Sequence, residues 1–456
     1  MQTQIFMVHK RHLGLRAPTV LAVGFALTIL VGALVLMLPV SAADGQITPF
    51  LDALFTAASA SCVTGLVTVS TAVHWSVFGK CVILLLIQTG GLGFMSVAAI
   101  ASFVLRRTIT LHERMVMSAG LNLSDGGGIV RLTRRVLFGT FIIEGTGAVL
   151  LSCRFVPHYG FPKGITMGVF HAVSAFCNAG FDLMGTPDDP FQSLIGWAED
   201  PLVNITVMAL IVLGGLGFFV WSDVWDKHSF RRLSLHTKIV LTATAGLLLF
   251  GFGWTLLFEW SNPATLGAFD TPHKLLAAAF ESVTLRTAGF NTIDLGALTG
   301  PSQAVSCLLM FIGGSPGSTA GGIKTVTAAV LVLTAISAFC GRTTVSAFGR
   351  TIAPRSIMNA VTLLMAGGVL CLVGACAIAG IEDAPFHQCL FEAVSAFGTV
   401  GVSMGLTPTL AAASRVILIV MMYMGRVGVL TLGVAVFMRR REPPRLKYPD
   451  ADVFIG

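Results

Sequence analysis

Eight long apolar segments alternate along the chain with four short ones, and this alternation is the strongest constraint on its fold. The long segments lie near 17–40, 76–104, 130–156, 201–225, 236–260, 303–340, 356–380 and 413–438. The short ones, each ending in glycine, lie near 50–65, 165–180, 273–289 and 386–401. About 20 apolar residues in a helix cross the roughly 30 Å of bilayer hydrocarbon. Each long segment therefore predicts a membrane-crossing helix, and each short one a re-entrant half-helix that enters and leaves on one side. Only 11% of the residues are charged and 54% are hydrophobic, with mean hydropathy +0.83. Soluble domains carry about 25% charged residues, so the bilayer must act as solvent here. The prediction is an all-α polytopic membrane protein.

Charge sets the orientation. The N-terminus, the loops 105–135, 226–238 and 342–355, and the C-terminal tail hold 21 of the 29 lysines and arginines. The opposite side is left with Lys80, Arg154, Lys163, Lys274, Arg286 and Arg415, while Lys324 and Arg426 lie within spans. Basic loops mark the cytoplasmic side, so both termini are expected there, in a multi-pass protein of the cell membrane. The net charge of +7 is explained by this topology, and no nucleic-acid partner is expected. Acidic residues such as Asp52, Asp182, Glu259, Glu281 and Glu392 fall on the outer side, where an acidic vestibule would concentrate cations. The first apolar run, longer than the 7–15 residues of a signal-peptide core, reads as a retained membrane helix. Nine scattered cysteines with no C-x-x-C or Cys/His cluster read as small buried hydrophobes.

The four short stretches resemble one another. They run from Phe55 to Thr64-Gly65, from Phe170 to Asn178-Ala179-Gly180, from Phe280 to Thr287-Ala288-Gly289, and from Phe391 to Thr399-Val400-Gly401. The phenylalanine precedes the glycine by ten, ten, nine and ten residues, and successive glycines are 115, 109 and 112 apart. A second glycine recurs in the following long segment, at Gly90, Gly214, Gly313 and Gly425. The unit is helix, pore loop, helix, with repeats expected over 17–104, 130–225, 236–340 and 356–438 around a central, pseudo-fourfold pore. Half-helices ending at glycine are costly in a membrane unless their backbone lines a cavity. Rings of backbone carbonyls can replace a cation's water shell, and glycine tolerates the backbone conformations that turn carbonyls inward. No repeat carries a full T-V-G-Y-G.

On the fragments Arg286-Thr-Ala-Gly-Phe-Asn291, Gly313-Gly-Ser-Pro-Gly-Ser-Thr-Ala-Gly-Gly-Ile-Lys-Thr325 and Ser395-Ala-Phe-Gly-Thr-Val-Gly-Val-Ser-Met-Gly405, the chain resembles the Ktr/Trk/HKT superfamily of potassium transporters. It is most similar to the KtrB-type membrane subunit. The resemblance implies that Gly65, Gly180, Gly289 and Gly401 are filter glycines, with K+ held at the carbonyls of Thr64, Asn178, Ala179, Thr287, Ala288, Thr399, Val400 and their glycines. In plant relatives serine at the first of these positions goes with sodium selectivity, so Gly65 favours potassium.

Residues 313–322 put five glycines, a proline, two serines and a threonine inside a span. Unpaired backbone cannot face lipid, so the segment is expected to line the aqueous pore, and its composition predicts a mobile stretch with few apolar contacts. The resemblance implies an intramembrane gate formed by Gly313, Gly314, Ser315, Pro316, Gly317, Ser318, Thr319, Ala320, Gly321 and Gly322, with Lys324 and Arg426. Two motif matches fail here. Gly313-Gly-Ser315-Pro-Gly317 fits a nucleophile elbow but no strand precedes it, and Ile323 interrupts the P-loop pattern before Lys324. No enzyme is expected. Arg426 is read as pore-facing, the alternative being a pair with Glu144, and His171 as packing.

Only about 16 residues precede the first span and about 17 follow the last. The two extra N-terminal helices of Trk-type relatives and a nucleotide-binding domain are therefore expected to be missing. The resemblance implies a homodimer above a cytosolic ring of nucleotide-binding regulatory subunits. The expected function is potassium uptake across the cytoplasmic membrane, with no covalent cofactor and with sodium a candidate coupling ion. The alternative is a sodium or mixed sodium/potassium transporter of the same fold.

Overall fold

A computed structural model describes residues 17–93 and 129–437. The N-terminal basic cluster, residues 94–128 and the C-terminal tail lie outside the described residues, and with them part of the charge pattern and the end of the first expected repeat.

Four outer helices, α1 (Ala17–Leu36), α4 (Ile129–Tyr159), α8 (Leu235–Glu259) and α12 (Pro354–Ile381), are long and apolar enough to cross a membrane. Each is followed by a shorter helix: α2 (Phe50–Cys62), α5 (Phe161–Phe176), α9 (Thr271–Thr284) and α13 (Phe386–Gly398). Inner helices come next: α3 (Val77–Leu92), α6 (Pro201–Gly215) continuing into α7 (Phe218–Lys227), α10 (Gly300–Phe311) with α11 (Thr325–Phe339), and α14 (Ala412–Val427) with α15 (Val429–Phe437). Local chemistry fixes several starts. Asp200 and Asp270 accept from the Val203 and His273 N–H groups, and Ser76 and Ser234 cap α3 and α8 in the same way.

The short helices are the best buried part of the molecule. Phe55, Phe170, Phe280 and Phe391 are all in the core, as are most residues between each phenylalanine and its glycine. The outer helices instead expose large apolar side chains such as Leu27, Phe141, Leu249 and Val369, the pattern of a protein solvated by lipid. Packing closes a circle. Inner helix α3 lies against short helix α5, α6 against α9, α10 against α13, and α14 against α2.

The inner segments correct the expectation that the third alone is interrupted. The second bends by 92° between α6 and α7, where Gly217 takes φ 94°, and the fourth breaks at Gly428 with φ 91°. The third break runs from 312 to 324, wider than the expected 313–322. Glycine allows these left-handed turns, which a side chain would strain.

Gly214 packs against the end of α5 so closely that an added Cβ would lie against the Phe176 carbonyl and 2.8 Å from Asn178 Oδ1. Gly246, on lipid-facing α8, has no such neighbour within 4 Å. Gly214→Ala is expected to destabilise the protein by about 1–3 kcal/mol and Gly246→Ala by none. Thermal melts in detergent check this: the first variant's Tm falls and the second's does not.

Candidate ion-conduction site

Four glycines meet at the centre. A Cβ on Gly65 would lie 2.5 Å from the Ala179 carbonyl oxygen, and one on Gly180 would lie 2.7 Å from Gly289 Cα. A Cβ on Gly289 would lie 2.7 Å from the Val400 oxygen, and one on Gly401 would lie 2.9 Å from Gly65 Cα. The order 65, 180, 289, 401 and back to 65 closes a ring of backbone, one segment per repeat. All four glycines have positive φ, between 68° and 100°. The residue two before each, Val63, Asn178, Thr287 and Thr399, also has positive φ, at 58°, 59°, 68° and 51°. That conformation in a β-branched residue costs about 1–3 kcal/mol and persists only where its surroundings impose it. The left-handed turn recurs at this position in all four repeats, strained in Val63, Thr287 and Thr399 and tolerated by Asn178.

What imposes it is a hydroxyl residue four places after each phenylalanine. The carbonyls of Ser59, Ser174, Thr284 and Ser395 accept from the N–H groups of Thr64, Ala179, Ala288 and Val400 at 2.8, 2.8, 2.9 and 2.8 Å. Their side chains reach past the glycine. Ser174 donates to the Phe181 carbonyl at 2.7 Å, Thr284 to that of Phe290 at 2.6 Å and Ser395 to that of Val402 at 2.7 Å. Ser59 and Ser395 accept from Gly65 N–H and Gly401 N–H. Sequence reasoning missed these four residues, although the hydroxyl at a fixed place in every repeat was the signal for them.

The residue after each phenylalanine supports the outer side of the ring in two repeats. His171 Nε2 accepts from Leu183 N–H at 3.3 Å, so this histidine does more than pack. Glu392 accepts from Met404 N–H at 3.2 Å and from the Ser403 and Thr407 hydroxyls. The expected acidic vestibule is corrected in part. Asp44, Asp188, Asp189 and Asp294 are exposed, whereas Glu259, Glu281 and Glu392 are buried and Asp52 and Asp200 are paired with Arg415 and Arg154.

The loop 312–324 lies under the ring and is not loosely held. Gly313, Ser315, Thr319 and Ala320 are buried. Ser315 and Thr319 N–H groups donate to the carbonyls of Gly215 and Gly214, and Gly317 O accepts from Phe218 N–H. The segment expected to have few apolar contacts is held by polar partners instead. Arg426 does not pair with Glu144. Its guanidinium donates to the carbonyls of Thr319, Gly90 and Gly91, joining the loop to the first and fourth repeats, while Glu144 accepts from Gln88. Lys324 Nζ donates to the Ala320 carbonyl at 2.6 Å. Arg286, expected on the outer side, is buried between ring and loop and donates to Gly313 O and Thr325 Oγ1 at 3.2 and 2.9 Å. Beyond the loop lies a cavity of about 570 Å³ lined by Gly91, Pro316, Lys324, Asn359, Arg426 and Leu430, and by none of the ring residues. Ser315 Oγ is buried with no hydrogen-bond partner among the described residues, and a nucleophile needs a base beside it.

The sequence profile described as TrkH, cation transport protein, matches residues 10–442. The chain belongs to the TrkH family of cation transport proteins. Relatives of this family include the Ktr system potassium uptake protein B of Bacillus subtilis, 42% identical over 96% of each chain. The potassium/sodium uptake protein NtpJ of Enterococcus hirae is 40% identical, again over 96% of each. Among solved structures, the potassium transporter TrkH from Vibrio parahaemolyticus superposes with TM-score 0.70 at 17% identity, covering 94% of this chain and 86% of that one; this likeness concerns the fold. A TrkH-family chain is a multi-pass cation transporter and not an enzyme, as its sequence led us to expect.

Ser395→Ala removes the hydroxyl that ties Val402 to the ring. One neutral hydrogen bond is worth about 0.5–1.5 kcal/mol, so cation discrimination should weaken by about two- to tenfold. Competitive flux in proteoliposomes measures it. Unchanged discrimination at normal expression would mean the hydroxyl does not hold the ring in shape.

Proposed function

We propose that this chain is the potassium-conducting subunit of an uptake system in the cell membrane. The observation that carries the reading is the closed backbone ring of Gly65, Gly180, Gly289 and Gly401, with the carbonyls of Thr64, Ala179, Ala288 and Val400 beside it. Such a ring offers oxygen ligands in place of water. The names of the relatives support potassium as the ion. A membrane potential of 100 mV supplies about 2.3 kcal/mol for each inward charge, so uptake needs no chemical step.

In this reading the loop from Gly313 to Gly322, with Lys324 and Arg426, is the gate. Two cations below a cation filter oppose passage, and Arg426 holds the loop by its carbonyls. The second reading, a mixed potassium/sodium transporter, is favoured by the name of the Enterococcus relative. We further propose both termini in the cytoplasm, a homodimer, and a cytosolic ring of nucleotide-binding subunits docked on the basic cytoplasmic face. Exposed Arg231 and Arg232, with the Ktr-system name of the Bacillus relative, support that partner.

Reconstituted protein should carry potassium in preference to sodium. Gly65→Ser, which forces a side chain toward the Ala179 carbonyl, should erode that preference. Arg426→Ala should raise the maximal flux with the ring intact. Equal permeation of the two ions by the unaltered protein would favour the mixed transporter. Unchanged or lower flux in Arg426→Ala, at matched protein levels, would mean the constriction lies elsewhere.

A further inference from the structure

The loop 312–324 does more than lie beneath the ring: it is seated on the strained residues that shape it. The single hydroxyl hydrogen of Thr319 is shared between Asn178 Oδ1 at 3.1 Å and the Phe176 carbonyl at 3.2 Å. Asn178 Nδ2 in turn reaches the Arg286 carbonyl and Thr287 Oγ1, both at 3.5 Å, so one side chain joins the second and third ring segments. A Cβ on Gly313 would lie 3.2 Å from Thr287 Cγ2, and one on Gly321 would lie 2.8 Å from Thr399 Cγ2. Three of the four positive-φ residues are thus covered by the loop. The fourth, Val63, packs on Gly90, whose carbonyl accepts from the same arginine that holds Thr319. Thr319 is the common point. Its N–H is bound to the second inner helix, its hydroxyl to the second ring segment, and its carbonyl to Arg426.

We propose that Thr319 and Asn178 form a clamp that couples the gate to the filter, Asn178 being a positioning residue whose hold on the second and third ring segments depends on where the loop stands. The proposal rests on the filter and gate reading above. Physically, a conformation that costs energy in the β-branched residues of three repeats needs external contacts to persist. The loop supplies one of them through a single hydroxyl. A loop that moves to clear the pore must break the Thr319–Asn178 bond, so conduction and ion discrimination change together and not separately.

The test is competitive potassium and sodium flux through full-length protein in proteoliposomes. Thr319→Val keeps the shape and removes the hydroxyl. It should raise the maximal flux and shift the potassium-to-sodium ratio by about two- to tenfold, the worth of one neutral hydrogen bond. Thr319→Ser, which restores the donor, should keep both near the unaltered values. Asn178→Gly accepts the positive φ without the amide; in that background Thr319→Val should move the ratio by less than about twofold, since its partner is already gone. Where valine prevents folding, Thr319→Ala gives the same reading. Raised flux with an unchanged ratio would overturn the coupling, and so would equal shifts with and without Asn178. Absence of potassium flux in the unaltered protein would instead overturn the conduction reading on which the clamp depends.

Discussion

Everything near the axis depends on four stretches of backbone lying edge to edge at Gly65, Gly180, Gly289 and Gly401. At that separation no side chain fits between neighbouring segments, and each segment must turn through a left-handed residue to reach its glycine. Such backbone survives in a membrane only where protein or water satisfies it. The short helices provide the first layer of support, through the carbonyls and hydroxyls of Ser59, Ser174, Thr284 and Ser395. The inner helices provide the second, and their glycines let them approach the short helices' ends. The lipid-facing outer helices pack against the short helices from outside.

The cations below the ring fit the same logic. A guanidinium in the span is expensive unless it faces protein or water. Arg426 meets that demand with backbone carbonyls, which the end of α3 leaves available at Gly90 and Gly91 and the loop at Thr319. Ending one helix and breaking another thus creates both the loop and the acceptors that hold a charge against it. A carboxylate partner would neutralise the arginine; carbonyls hold it in place and leave its charge unneutralised.

The ring was legible in the sequence because its demand falls on residue type: glycine at a fixed distance from phenylalanine, four times, with little else able to occupy the place. The depth of Arg426 was legible too, since Gly313 and Gly425 each follow their ring glycine by 24 residues, and the arginine does bond Thr319. Other features left a trace that needed a closer reading. The breaks at Gly217 and Gly428 sit three residues beyond Gly214 and Gly425, as Gly93 sits beyond Gly90, yet a run of apolar residues reads as one unbroken helix. The packing against the loop was not legible. Which carbonyls Arg426 finds, that Arg286 is buried and that Glu392 fastens an outer loop are outcomes of tertiary contacts, and residue spacing along one strand of chain does not encode them.

The central claim is that the ring binds dehydrated potassium on its axis. Diffraction from crystals soaked in rubidium tests it directly, since rubidium replaces potassium and scatters anomalously. The account predicts anomalous peaks on the axis beside the carbonyls of Thr64, Ala179, Ala288 and Val400, lost when sodium replaces rubidium. An axis empty of rubidium in well-ordered crystals, or peaks only in the cavity beyond the loop, would contradict it.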